Sequence, residues 1–262
     1  SSRSGASDVT LLQNFILVSD ISRFVFCFGT NEIGGNTIDP TLLRWSDQES
    51  AVNWTPSATN QAGSLRLSRG TKIVTASQAR QEILVWTDSS LYSLQYVGAP
   101  AVWAATLVGE NISIASQNAV GYSNGIAYWM GKDKFYIYDG RTQTLTCDVR
   151  KYVFNDLDTD QYAQVLTGTN EAFHEIWWFY CSSGSSTIDR YVIYNYLEKI
   201  WYYGTMARTA WLDSGLRNKP LAATYSSNIV EHEEGIDDNI AGASAAINAF
   251  VVSADFDLDD GH

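Results

Sequence analysis

The sequence predicts an all-β protein, a β-propeller-like array of repeated antiparallel hairpins. Three observations carry this reading. An aromatic-rich strand unit recurs at Arg23 (RFVFCFG), Glu82 (EILVWTD), Gly125 (GIAYWMG), Glu175 (EIWWFYC) and Pro220 (PLAATYS), at intervals of 43 to 59 residues. Self-similarity at such a period marks radial or solenoid β-architectures, and four-stranded propeller blades have about this size. In the last four units a short turn and a second apolar strand follow, LYSLQYV, KFYIYDG, RYVIYNY and NIVEHEE. Segments of helical period are nearly absent, while nine Trp and fifteen Tyr suit pleated surfaces that need large, stiff side chains.

Taken in order, residues 1–13 open with SSRSGASDV, small and polar as in a linker or a frayed end, and 14–262 form the propeller-like domain. NFILVS at 14–19 and RFVFCF at 23–28 make the first hairpin around Asp20–Ser22. The stretch 30–40 is a loop by its Gly, Asn and Pro content, and LLRWS at 42–46 returns as a strand. An irregular stretch precedes LRLS at 65–68 and a strand at 72–76. Strand pairs follow at 82–87 with 91–97, 126–131 with 134–138, 175–181 with 188–196, and 221–225 with 228–232. Their turns, TDSS, GKD, SSGSS and SSN, have hairpin composition. One helix is expected within 148–163, where Val149, Val153, Leu157 and Tyr162 recur at helical intervals, as an insertion or a connection between blades. A fresh strand starts at 247 without a hairpin partner. Such open ends imply either a slice of a longer polypeptide or a ring closed by pairing first and last strands.

The densest segment, 173–203, holds eleven aromatics. Along 175–181, Trp177 and Phe179 point one way and Ile176, Trp178 and Tyr180 the other. Apolar side chains on both faces suit a strand sandwiched between two other sheets. An exposed stacking platform would confine its aromatics to one face.

The net charge of −12 is unevenly placed: the last 32 residues hold nine acids and no Lys or Arg. Glu231, Glu233, Glu234, Asp237, Asp238, Asp255, Asp257, Asp259 and Asp260 cannot be buried unpaired, so this stretch is expected on a solvent- or lumen-facing edge that does not hold DNA. Wrapping a polyanion needs a concentrated basic surface, which the composition does not supply. Cys27, Cys147 and Cys181 are odd in number, widely spaced and without a CxxC pair, as expected of buried thiols in a reducing compartment. No apolar run approaches the roughly 18 to 20 residues of a membrane span.

Catalytic and metal motifs fail on spacing, so no catalytic, cofactor or metal residues are assigned and the chain is expected not to be an enzyme. Gly125 to Asp133 has five residues between its glycines and Asp after Lys132, where a phosphate loop needs four and Ser or Thr. Asp156, Asp158 and Asp160, like Asp255, Asp257 and Asp259, begin as Ca²⁺ loops do but lack the central Gly and the closing Glu. Ser46, Asp47 and Trp54 have the wrong spacing for the Asp box of sialidase-type propellers. His174 and His232 adjoin strands and read as structural.

Several blocks resemble the tail nozzle (tail hub) proteins of short-tailed, podovirus-type bacteriophages, also described as tail stabilisation or virion structural proteins. They are LLRWSDQESAVNWTPSATNQAGSLRLS at 42–68, RQEILVWTDSSLYSLQYVGAP at 80–100, GIAYWMGKDKFYIYDGRTQTL at 125–145, EIWWFYCSS at 175–183, IDRYVIYNYLEKIWYYG at 188–204 and RTAWLDSG at 208–215. The resemblance implies a propeller-containing subunit in a homo-oligomeric ring of six, below the portal and adaptor and above distal tail or fibre proteins. Viral DNA would pass through it without specific binding. It also implies a place in the virion tail after synthesis in the host bacterial cytoplasm. The chain is shorter than such proteins usually are. A receptor- or carbohydrate-binding propeller and a propeller glycosidase are the rival readings. Exposed aromatics with polar neighbours would mark the first, two facing carboxylates about 5 to 9 Å apart the second.

Overall fold

Four four-stranded antiparallel sheets and one three-stranded sheet follow one another along the chain, each a meander in sequence order. The computed structural model describes residues 13–213, 216, 219–235, 237, 238, 245 and 246. Blade 1 comprises β1 (Gln13–Ser19), β2 (Phe24–Asn31), β3 (Ile38–Trp45) and β4 (Gly63–Arg66). Blade 2 comprises β5 (Ile73–Gln78), β6 (Ile83–Thr87), β7 (Ser90–Gly98) and β8 (Val102–Glu110). Blade 3 comprises β9 (Val120–Ser123), β10 (Ile126–Met130), β11 (Phe135–Tyr138) and β12 (Thr142–Leu145). Blade 4 comprises β13 (Leu166–Asn170), β14 (Glu175–Tyr180), β15 (Arg190–Asn195) and β16 (Ile200–Thr205). Blade 5 has β17 (Ala210–Leu212), β18 (Leu221–Ala223) and β19 (Ile229–Glu231), and a two-residue ladder pairs β20 (Asp237–Asp238) with β21 (Ala245–Ala246). The fold is therefore all-β and propeller-like. Each of the five repeat starts read from the sequence falls at the second strand of one blade.

The blades stack face to face, and alternation along their middle strands supplies both seams of each blade. In β6, Ile83 and Val85 join the core shared with Phe24, Phe26 and Phe28 of blade 1. Leu84 and Trp86 join the core shared with blades 3 and 4. Trp86 meets Trp129 of blade 3 edge to face at 5.4 Å, and Phe135 meets Trp178 of blade 4 at 4.9 Å. A third core joins Trp177 and Phe179 of blade 4 to Trp211 of blade 5. Burying each such side chain stabilises the fold by about 1.5 to 3 kcal/mol before conformational entropy is counted.

First strands lie innermost, where neighbouring blades converge. Thr167 N donates to Asn118 O at 2.8 Å, tying blade 4 to the segment entering β9. A Cβ on Gly168 would stand 2.6 Å from the Trp211 ring, so this position takes no side chain if blade 5 is to seat. The last strands are outermost and wetter, as β16 shows with Ile200, Tyr202 and Tyr203 exposed.

The helical segment sits between blades 3 and 4, and it is shorter than 148–163. α1 (Arg150–Asp156) stops where Leu157 turns extended and bridges to Ser182, and a 3-10 turn then runs from Thr159 to Gln164. The Asp158 carboxylate accepts from Asp160 N at 2.9 Å and starts that turn, so the break is a side-chain cap competing with the helix.

None of the three cores joins blade 5 to blade 1 among the described residues. The row has two ends with exposed apolar side chains: Ile16 and Val18 on β1, Leu212 and Ile229 on blade 5. The strand expected at 247, residues 1–12 and the acids from Asp255 onward lie outside the described residues. No helix among the described residues is long and apolar enough to cross a membrane.

Candidate functional site

Alternate turns of a meander emerge on one rim, and on the rim carrying the β5–β6 turn two troughs open. The first, of about 270 Å³, lies between the β1–β2 turn of blade 1 and the Gln78, Glu82, Tyr96 and Trp103 side of blade 2. The second, of about 360 Å³, lies between the same β5–β6 turn and the Gly125 and Asp139–Gly140 turns of blade 3. Gln81 and Glu82 line both, so the β5–β6 turn is the partition.

Local hydrogen bonding holds this partition. Ala79 N donates to Glu82 O at 2.8 Å, and Gln78 Nε2 donates to the carbonyls of Ala79 and Glu82 at 2.8 and 3.1 Å. Glu82 Oε2 accepts from Ser93 Oγ and, at 3.3 Å, from the Tyr138 hydroxyl of blade 3. Burial, followed by the charge of Glu82, pushes the Tyr138 hydroxyl up to about 12, so it stays a donor at neutral pH. Across the second trough, Asn124 and Gly125 both take positive φ in a two-residue hairpin, the geometry that Asn-Gly turns favour. The other carboxylate there, Asp139, accepts from Arg141 N and Gln143 Nε2.

In the first trough Tyr96 is 46% exposed at the rim, its hydroxyl donating to Gln61 Oε1 of blade 1 at 3.0 Å. Its ring meets Trp103 at 5.5 Å, and Trp103 in turn meets Phe24 and Phe26 edge to face. The aromatic core of this seam thus surfaces at the trough as one half-exposed ring.

The residues singled out in the sequence lie elsewhere. Trp177 and Trp178 occupy opposite faces of β14 and both are buried, which removes the platform reading for this strand. Cys27 and Cys181 are buried thiols and Cys147 a half-buried one; burial pushes Cys147 up to about 12 and Cys181 up to about 11. His174 takes a left-handed conformation beyond a 3-10 turn, its ring against Tyr196. His232 is buried, and Arg208 Nε donates to its Nε2 at 2.9 Å; burial and then the Arg208 charge push it down to about 4. Asp156 accepts from Arg190 Nε at 3.2 Å, and Asp158 from Gly184 N at 3.1 Å. Glu231, Glu233 and Glu234 are exposed; Asn170 donates to Glu233 at 3.2 Å, and Lys219 pairs with Glu234. Among the described residues no group of three or more His, Cys, Asp or Glu side chains is placed to hold a metal ion. The sequence did not single out the trough residues: Tyr96 lies in the strand expected at 91–97, and Trp103 lies in β8, a strand the sequence pattern did not mark.

No family model and no curated protein matches the chain. Solved structures with a similar chain path include the extracellular domain of a one component system of B. thetaiotaomicron, at 9% identity and a TM-score of 0.45, covering 82% of this chain and 27% of that one. Another is Hsv2 of Kluyveromyces lactis, at 12% identity and a TM-score of 0.44, covering 80% and 58%. The N-terminal domain of Nup159 follows at 10% identity and a TM-score of 0.34, covering 92% and 80%. The chain thus spans less than two thirds of the first two.

Proposed function

We propose that this chain is a non-enzymatic structural subunit of a short-tailed bacteriophage tail, one copy of a nozzle or hub ring through which viral DNA leaves the particle. The observation that carries the reading is the order of the six nozzle-like blocks. They fall in sequence on blades 1 to 5, on β3–β4, β6–β7, β10–β12, β14, β15–β16 and β17. Two physical features agree with it. Aromatic seams between complete sheets make a stiff body, and apolar strands exposed at both ends of the row offer unlike surfaces of the kind a head-to-tail ring needs. A net charge of −12 keeps such a wall from adhering to phosphate, over a range of about 8 to 10 Å.

Electron microscopy of the concentrated chain, and antibody labelling of tailed particles that carry it, tests the proposal. Closed rings and label at the tail are the expected result. A chain that stays monomeric, labels no particle and turns over a glycan overturns it. The rival reading, a receptor- or carbohydrate-binding propeller, draws on a different observation, the half-exposed aromatic in the trough between blades 1 and 2.

A further inference from the structure

The trough between blades 1 and 2 differs from its neighbour in what lines it. It contains no lysine or arginine and a single carboxylate, Glu82, whereas Arg80 and Asp139 line the second trough. Its aromatic ring, Tyr96, is half-exposed and held in place from both sides, by Gln61 and by Trp103.

We infer that this trough is a saccharide site, taking one or two neutral sugar rings with Tyr96 against a C–H face and Gln48, Gln81 and Glu82 meeting hydroxyls. The inference rests on the carbohydrate-binding reading and not on the virion assignment. A sugar hydroxyl both donates and accepts, and glutamine amides do the same, while a carboxylate already fixed by Ser93 and Tyr138 accepts in a set direction. The negative face of an aromatic ring favours polarised C–H groups over anionic ones. A phosphate or nucleic acid would meet Glu82 and no cation. A peptide would need an open strand edge or an apolar groove, and Ile21 is the one aliphatic side chain in the lining. A volume of about 270 Å³ lies just below the usual range of ligand sites, room for no more than a short saccharide.

Saturation-transfer NMR on the whole chain tests this, with methyl α-D-glucopyranoside and chitotriose as probes at millimolar concentration. Saturation should reach the ring protons of at least one probe. Tyr96→Ala should weaken that binding about tenfold, equivalent to one stacking contact and its hydrogen bond. Gln81→Ala, at an exposed turn position, should weaken it less and serves as the second reporter should Tyr96→Ala fail to fold. Tyr152→Ala, an exposed tyrosine whose ring meets Tyr203 of blade 4 at a tilt, should leave it unchanged. Binding that Tyr96→Ala and Gln81→Ala both leave intact overturns the site while sparing the carbohydrate-binding reading. Absence of transfer from both probes, or displacement of a bound probe by a cationic peptide alone, overturns the site and that reading together.

Discussion

Trp177 and Trp178 are consecutive on one strand, yet they stand in differently built seams. Trp178 faces blade 3, a complete four-stranded sheet. It is fully buried, packs on Phe135 and Trp201, and its Nε1 donates to Ala119 O at 3.0 Å. Trp177 faces blade 5, whose three strands have three residues each. It stacks on Trp211 at 5.2 Å and its Nε1 donates to Glu175 Oε2 at 3.0 Å, at the edge of the packed region. Around Trp178 the seam between two complete sheets is packed with apolar and aromatic side chains. A seam at the end of the row finishes in polar contacts, among them Arg208 with His232 and Asn170 with Glu233. Position in the row, rather than residue type, decides how much each aromatic contributes.

The largest effect is expected for Trp178→Ala, a loss of about 5 kcal/mol in urea unfolding, with Trp177→Ala costing about 3 kcal/mol. Equal losses would break the distinction between interior and end seams. Acid should separate them further. His232 in blade 5 is held near 4, below its unfolded value near 6.5, so it supplies stability above pH 6.5 that is lost as pH falls toward 4, up to about 3 kcal/mol. Hydrogen exchange should show blade 5 losing protection in that window while blade 3 keeps it, and His232→Phe should flatten the dependence. Gly168→Ala should cost about 1 to 3 kcal/mol by pushing the Trp211 ring off the inner strand, read as a shift in the blade 5 tryptophan fluorescence. The smallest effects belong to the two end faces of the row. Ile16→Ser and Ile229→Ser should each change the stability of the isolated chain by no more than about 0.5 kcal/mol, while either should reduce ring formation in the imaging experiment.

The middle strands were legible in the sequence because they are buried on both faces. RFVFCF, EILVW, IAYWM and EIWWFY are near-continuous apolar runs, and each is bounded by turn residues. Two of the inner first strands were not. β9 (VGYS) and β13 (LTGTN) lie where blades converge, and close approach selects Gly, Ser and Thr in place of large apolar side chains. Outer strands such as β12 (TQTL) were hidden for the opposite reason, since solvent on one side permits polar residues that read as loop. The break in 148–163 turns on one carboxylate, Asp158, whose capping role depends on where Gly184 arrives from blade 4. The trough was beyond sequence reasoning because it joins a turn of blade 1 to a hairpin tip of blade 2. No local pattern encodes that meeting.

The sequence repeat begins at the second strand of each blade, so one full period ends with the first strand of the next. Covalent unit and packing unit are therefore out of phase by a single strand. A seam between neighbouring blades is also crossed by the chain, and each period stitches its successor's innermost strand in place. Tension applied to the chain between two blades, once the connecting loop is taut, would be met by the ladder between the first two strands of the next blade, several backbone hydrogen bonds along the strand's length. A body assembled this way resists a pull more like a laced seam than a stack of plates.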